Sequence, residues 1–388
     1  AQKDIEKAIA LLAANQSQRE IQARRALGHL YESSLSDYKA AGQLFEQALL
    51  LAQARQDIKQ IHNIKLDQIR LLYTKGDYNT AMLRLKEALE TNTQQSPRQQ
   101  LTLRLEIAKV SWYQGDYPQA RKQQRRALEI AREFGWTFQE IKARSLGGLI
   151  SMNLGDLGGA RIAMLDALGL AKRTGRRAEV AIQSNNLGNV LRERGQYKKA
   201  LSYYRDALKI EDATQNQVGR AYAIRNMGLT HARMGSPEKA RVLLQEALKL
   251  SQSIGNRYNE LQTIVALAEV EEQMATDQAE FSWKIAAHLS RNMNLPESLW
   301  RSLFGMGRVT KDKNQAELYF EGAILVAESL GGAQGQALSK YSREGLYHQA
   351  LELAYQDRDE SRIFDLSERQ KLRALKDKVS SQQDERHQ

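Results

Sequence analysis

The sequence predicts an all-α solenoid of about eight helix-turn-helix units stacked in one dimension. Three observations point there. Residues 183–248 carry one pattern twice, 40 positions apart: Leu187-Gly188 is answered by Met227-Gly228, Gly195 by Gly235, Ala200 by Ala240 and Ala207 by Ala247. Both halves of the unit have helical spacing. Leu187, Val190 and Leu191 mark the first half, and Ala200, Tyr204, Ala207 and Leu208 mark the second, which is the apolar stripe of an amphipathic helix. Finally, the closing alanine of the second half recurs at Ala48, Ala88, Ala127, Ala167, Ala207, Ala247, Ala286 and Ala323.

Small side chains have a mechanical role in such a unit. Gly188 and Ala200 fall where the two helices of a hairpin cross, and a larger group there would push the axes beyond about 8–10 Å. Tyr204 and Ala207 are expected to face the next unit. Along the chain, residues 1–18 read as the second helix of an incomplete unit, with Ile5, Ala8, Ile9 and Leu12 as its stripe. Leu27-Gly28 opens the first full unit, which closes with Tyr38, Ala41, Phe45 and Ala48. The second has Gly76, Tyr78, Ala81 and Leu85; the third has Gly115, Tyr117, Ala120 and Gln124; the fourth has Gly155, Leu157, Ala160 and Met164. Gln124 stands where an aromatic or large apolar residue is usual, so packing there is expected to be thinner. The seventh unit has Ala279 and Trp283 but no turn glycine, and the eighth keeps Ala316 and Phe320. Gly135, Gly175, Gly255 and Gly331 follow second helices, where a left-handed C-cap is wanted, and Asn216 stands close to the same slot. Residues 91–97 read as the loosest connector.

This pattern resembles the tetratricopeptide repeat (TPR): Leu-Gly in the first helix, Gly-x-Tyr at the turn, then Ala-x-x-x-aromatic-x-x-Ala. The usual TPR unit is about 34 residues. The longer unit here resembles those of Pins-type spindle-orientation adaptors and of bacterial multi-repeat regulators. The resemblance implies a right-handed superhelix whose first helices line a concave wall, and a non-catalytic role in protein binding. The expected organisation is a partial repeat helix over 1–18, the solenoid over 19–332, capping helices over 333–380 and a disordered tail over 381–388. Within the caps, one helix is expected over 335–354 and another over 359–379. The latter resembles a segment that follows the repeats in bacterial proteins pairing TPR arrays with a CHAT protease domain, through Phe364, Leu366, Glu368, Arg369, Arg373, Ala374 and Leu375. That resemblance implies a regulatory or sensing arm whose protease domain is not on this chain.

Composition narrows the chemistry. Cysteine is absent from the 388 residues, which excludes disulfides, thiolate metal sites and cysteine nucleophiles. Only 4 prolines interrupt the chain, as suits helices. No apolar run is long enough to cross a membrane; a cytoplasmic setting is expected, with an exported mature form as the alternative. The chain begins at Ala1 without an apolar leader, so a cut or processed product is expected. The six histidines form no metal-binding spacing. Gly305, Gly307 and Lys311 have phosphate-loop residue types, but no strand precedes them. No catalytic residue, metal or cofactor is expected.

The formal net charge of +11 points to polyanions or an acidic partner. Inward positions on the first helices are expected at Arg25 and His29; Asn63, Asp67 and Arg70; Glu106, Lys109 and Tyr113; Lys142 and Ser145; Asn185, Asn186, Asn189 and Arg192; Tyr222, Arg225, Asn226 and Arg233; Glu269 and Glu272; and Arg301. From these, Arg70, Lys109, Lys142, Asn185, Asn186, Asn189, Arg192, Tyr222, Arg225, Asn226 and Arg233 are the expected peptide-binding set. In TPR families that hold peptides, an Asn at the slot of Asn186 and Asn226 pins the ligand backbone or carboxylate, since its amide donates and accepts together. Arginines beside it can hold carboxylates bidentately. The partner expected is therefore an acidic or extended protein segment. Two further surfaces stand out: the basic clusters Arg121, Lys122, Arg125, Arg126 and Lys172, Arg173, Arg176, Arg177, a rival face for nucleic acid, and the worn seventh and eighth units, a surface for self-association.

Overall fold

The fold was obtained as a computed structural model describing residues 18–32, 37–90, 96–329 and 343–372. The predicted helix over 1–18 thus lies almost wholly outside the described residues, as do Gly331 and the tail. The described residues contain helices and turns and no strand. Eight hairpins follow one another: α1 (Gln18–Leu30) with α2 (Tyr38–Ala54), α3 (Ile58–Thr74) with α4 (Tyr78–Glu90), α5 (Pro97–Tyr113) with α6 (Tyr117–Glu133), and α7 (Thr137–Asn153) with α8 (Leu157–Arg173). Then come α9 (Arg177–Glu193) with α10 (Tyr197–Ala213), α11 (Gln217–Arg233) with α12 (Pro237–Ser253), α13 (Arg257–Gln273) with α14 (Gln278–Asn292), and α15 (Pro296–Val309) with α16 (Lys313–Ser329). A last pair, α17 (Arg343–Gln356) and the helical residues 360–372 (α18), covers the end.

One turn recurs among the described residues: a left-handed residue ends a helix and the next residue N-caps the following one, whereas after α15 the extended Thr310 takes its place. Gly76, Gly115, Gly155, Gly195 and Gly235 turn inside hairpins with φ of 71–85°, a region open to glycine at little steric cost. Asp77, Asp116 and Asp156 then accept a hydrogen bond from the backbone N–H three residues on, the N-cap that satisfies an orphan donor. Asn216 belongs to this second role rather than to the left-handed slot assigned from sequence. Its side chain caps α11 through Gly219 N–H, and Gln215 takes the left-handed conformation with φ 54°. In the seventh unit, which has no turn glycine, Ala275 occupies that slot with φ 51°.

Five of the hairpins are closed by one large side chain lying on a residue without one. A β-carbon added at Gly28, Gly148, Gly188, Gly228 or Gly307 would come within 3.0 Å of Phe45, Met164, Tyr204, Leu244 or Phe320, respectively. Tyr204 therefore packs onto Gly188 of its own hairpin, where sequence alone had aimed it at the next unit. In two places the large residue reaches forward instead: Gln124 lies against Gly147 and Trp283 against Gly305, each on the following first helix. Gln124 is buried and donates from Nε2 to the carbonyl of Ala143 at 2.8 Å. A hydrogen bond to the next hairpin thus fills the place where thinner packing was expected. Gly305 and Gly307 serve helix packing inside α15, not a phosphate loop.

The curvature follows from which helices touch. Beyond neighbours in sequence, the substantial contacts run between first helices, α5–α7–α9–α11–α13–α15. These form the tight inner wall, and the second helices fan outward. At the far end, α17 and α18 bury Leu346, Tyr347, Ala350, Ala354 and Leu366 against Trp300, Phe304 and Phe320. Arg369 reaches Glu321 at 2.8 Å and Glu328 at 2.9 Å. The expected 335–354 helix is observed from Arg343 to Gln356, its earlier residues lying outside the described part.

The glycine slots are testable in stability. Gly188→Ala is expected to destabilise by about 1–3 kcal/mol, because the buried Tyr204 ring cannot withdraw, although alanine gains about 1 kcal/mol of helix propensity over glycine. Gly42→Ala, whose β-carbon would meet Leu71 at an ordinary 3.5 Å, is expected to stabilise by about 0.5–1 kcal/mol. Urea unfolding midpoints of the two variants should move in opposite directions.

Candidate functional site

The inner wall is a ladder of polar contacts from one first helix to the next. Arg25 of α1 meets Asp67 of α3 at 2.7 Å. Arg70 of α3 meets Glu106 of α5 at 2.6 Å. Asn186 of α9 donates to Ser145 Oγ of α7 at 3.3 Å, and Asn226 of α11 donates to Asn185 Oδ1 of α9 at 3.0 Å. Arg225 of α11 donates to Asn259 of α13 at 2.8 Å. Glu272 of α13 takes both an Nε and an Nη donor from Arg308 of α15 at 2.7 Å. Much of the polarity expected to serve a ligand therefore joins repeats.

The expected binding residues divide accordingly. Asn226 is only 3 % exposed and faces Asn185, so it does not present its amide to the groove as sequence suggested. Tight first-helix stacking closes over it. Asn189 accepts from the Tyr204 hydroxyl at 2.9 Å, and Arg192 pairs with Glu193 at 3.2 Å. Arg70, Lys109 and the Tyr73 hydroxyl all converge on Glu106. Against its burial, Lys109 and Arg70 hold the Glu106 carboxyl below the usual carboxylate range. Arg233 is exposed at the end of α11.

Two cations keep donors to spare. Among the described residues Lys142 makes no ion pair; its ammonium sits 4.3 Å from the centroid of the Phe138 ring. Burial, and next the Lys109 cation, depress its pKa, with Glu179 opposing. Arg225 lies over Tyr222 at 5.1 Å, and its buried Nε has no hydrogen-bond partner. Burial depresses its pKa too, and Arg192 adds repulsion. Between α5 and α7 the cations of Lys109 and Lys142 repel each other.

Aromatic residues, which the sequence reading largely passed over, complete the wall. Tyr113 stacks on Tyr78 at 5.6 Å and leans on Tyr73 at 5.9 Å and Trp112 at 4.9 Å. Tyr113 remains 42 % exposed and Tyr258 of α13 47 %. Burial raises the Tyr113 pKa, and Tyr258 is the next cause. A repeat of Gly-x-Tyr at hairpin turns was legible for Tyr78, but nothing in the sequence stacks it on Tyr113.

On the outer side, Arg104, Arg121, Lys122, Arg125 and Arg126 line a cleft of about 880 Å³. Several of these are engaged: Arg121 donates to Ser151 at 2.7 Å, Arg104 to Gln123 at 2.8 Å, and Arg126 pairs with Glu129 at 2.9 Å. Among the described residues no group of three or more His, Asp and Glu side chains could hold a metal ion, and no helix is long and apolar enough to cross a membrane.

Sequence comparison matches a tetratricopeptide-repeat family model at residues 101–133, 180–210 and 220–254, and a second tetratricopeptide-repeat model at residues 23–59. The chain is a TPR protein. No curated protein matches its sequence. The TPR fold is similar to that of the apo quorum sensor NprR from B. thuringiensis, with TM-score 0.57 and 17 % identity over 92 % of this chain and 98 % of that one. It is also similar to NprR in complex with its cognate peptide NprX (TM-score 0.53, 19 % identity, 84 % and 99 % of the two chains). A Rap protein complexed with Competence and Sporulation Factor has TM-score 0.59 and 13 % identity over 85 % and 97 % of the chains. At such identities the likeness concerns the TPR fold. The matches lend no support to the CHAT association, and the matched TPR models do not reach the segment that suggested it. There Leu366 is buried and Arg369 is tied to α16, as a cap requires.

The N-terminal end of the wall is pH-sensitive. Hydrogen bonds to Asp67 first, and to Glu32 next, raise the His29 pKa from 6.5 to about 9. A raised folded-state pKa contributes stability that is fully present below pH 6.5 and lost as pH rises through about 9. Hydrogen exchange in α1 and α3 should therefore quicken between pH 7 and 10 beyond the intrinsic rate, and His29→Gln should remove that excess.

Proposed function

We propose that this TPR array is a non-catalytic binding scaffold whose concave groove takes an extended, acidic protein segment. The reading rests on Lys142 and Arg225. Lys142 is an exposed cation without an ion pair among the described residues, and Arg225 is a half-buried one whose Nε has no hydrogen-bond partner. Removing a charge from water without a partner is costly, and a carboxylate delivered by a ligand would offset that cost at Arg225 and pair with Lys142. Lys109 and Arg192, beside them, add to the same sign of potential. Asn185 and Asn186 keep part of their amide surface open while they bridge repeats, so they can meet a ligand backbone as well. NprR in complex with its cognate peptide NprX and a Rap protein complexed with Competence and Sporulation Factor have similar folds, which supports a ligand-binding reading of this fold. The outer basic cleft is the less favoured surface, because much of its charge is already bonded within the protein.

A charge-assisted hydrogen bond contributes about 1.5–3 kcal/mol, roughly ten- to a hundredfold in affinity. Lys142→Glu combined with Arg225→Glu should therefore weaken binding of a glutamate-rich peptide by at least about tenfold, measured by calorimetry. Rising salt should weaken wild-type binding as well. Because a ligand carboxylate raises the depressed Lys142 pKa, binding takes up protons, and affinity should fall as pH climbs through that pKa. Undiminished binding in the double variant would overturn the assignment.

A further inference from the structure

We infer that the starts of α5, α7 and α9, with the connectors that precede α7 and α9, form a strip for single-stranded nucleic acid, with rings for the bases and cations for the phosphates. The strip lies at one end of the hairpins rather than along the groove wall, and its failure leaves the groove reading standing.

The first sign is a pair of forgone helix caps. Asp57, Asn216 and Asn256 immediately precede α3, α11 and α13, and each side chain accepts a backbone N–H from three residues on. The same position before α7 is Trp136, and before α9 it is Arg176. Neither makes a side-chain cap. Losing such a cap destabilises a helix, so the exchange needs another reason. Leu295, which leaves α15 uncapped, packs against the core of its unit. Trp136 is partly packed on the core as well, but it also carries a ring stack, and Arg176 is exposed.

Rings and cations form one continuous surface there. Phe134 stacks on Trp136 with centroids 4.9 Å apart and planes at 20°, and Phe134 stays 45 % exposed. Arg98, at the start of α5, lies over Trp136 at 5.8 Å. Arg176 lies over Phe138, at the start of α7, at 5.1 Å. These contacts hold the starts of three successive first helices side by side. Lys172, Arg173 and Arg177 extend the surface and are exposed. None of these five cations makes an ion pair among the described residues. Nearby, Glu140 is taken by Arg132 and Arg144, and Asp166 by Arg144, which leaves Glu133 and Glu179 as the opposing carboxylates of the stretch.

Uncommitted cations in a row attract a polyanion, and an open ring stack suits flat groups. An acidic peptide satisfies the first demand alone. A duplex keeps its bases paired and stacked inside. A single strand meets both, because its bases stack on aromatic side chains while its phosphates follow a basic track. Adjacent helices pack about 8–10 Å apart, so a strip across three first helices accommodates a few nucleotides. The outer cleft, by contrast, is lined without an aromatic residue.

The test is fluorescence anisotropy of the full chain with labelled oligodeoxyuridine and oligouridine of about twelve nucleotides, and with a duplex of equal length. At least one single strand should bind about tenfold or more tighter than the duplex, and the comparison between the two separates DNA from RNA as the source. Affinity should fall with salt, the log–log slope steepening by about 0.7 for each phosphate engaged. Arg98→Gln with Arg176→Gln should flatten that slope by about 1.4. Phe134→Ala should weaken binding about fivefold or more with the slope unchanged, and Phe134→Tyr should restore it. All three side chains are exposed, so these variants should keep the wild-type melting curve. Lys122→Gln with Arg125→Gln, in the outer cleft, should leave affinity within about twofold. Absence of single-strand binding, or a duplex bound as tightly, overturns the proposal. So does binding that survives both Phe134→Ala and the double arginine variant, or that is lost with Lys122 and Arg125. A decaglutamate peptide that binds as tightly as the strands, and weakens equally on Phe134→Ala, overturns it in favour of an acidic protein.

Discussion

The structure depends on a missing side chain. At Gly28, Gly148, Gly188, Gly228 and Gly307 a first helix has no β-carbon, and a large residue from the second helix occupies the space. Interiors pack at near-crystalline density, so this fit sets how closely the two axes approach. Repeated down the chain, it brings successive first helices into contact while second helices stay apart. Curvature, and therefore a concave wall, results from asymmetric packing. Gln124 and Trp283 are variants of the same device, sending the large side chain forward to Gly147 and Gly305 and tying one hairpin to the next.

The concave wall has two duties that compete for the same residues. Stacking brings polar side chains of neighbouring first helices within hydrogen-bond reach, and buried polar groups must be satisfied. Hence Arg70 binds Glu106, Asn226 binds Asn185 and Glu272 binds Arg308. What that pairing leaves without a polar partner includes the buried Nε of Arg225, while the exposed Lys142 makes no ion pair among the described residues. A groove read as a row of free polar groups overstates how many of them are free.

Repeat boundaries, turn glycines and the Asp N-caps are legible in sequence because each is a local demand: a left-handed φ, an orphan N–H, a helix stripe. The slot glycines are legible as well, since their recurrence at a fixed period has no local cause. Asn216 shows where this ends. A residue able to adopt either the left-handed or the N-cap role sits one position from Gln215, and only the backbone path decides between them. Tyr204 shows the same for packing direction. Its stripe position says that it is buried, while Gly188 opposite says against what.

By itself, then, the sequence determined the all-helical class, the period and the hairpins, because periodicity and turn chemistry act over short spans of chain; that the first helices face inward was what the TPR resemblance implied. Tertiary structure alone decided which inward polar groups are consumed by neighbours one repeat away. That outcome depends on how each hairpin stacks on the next, a quantity that no single repeat encodes.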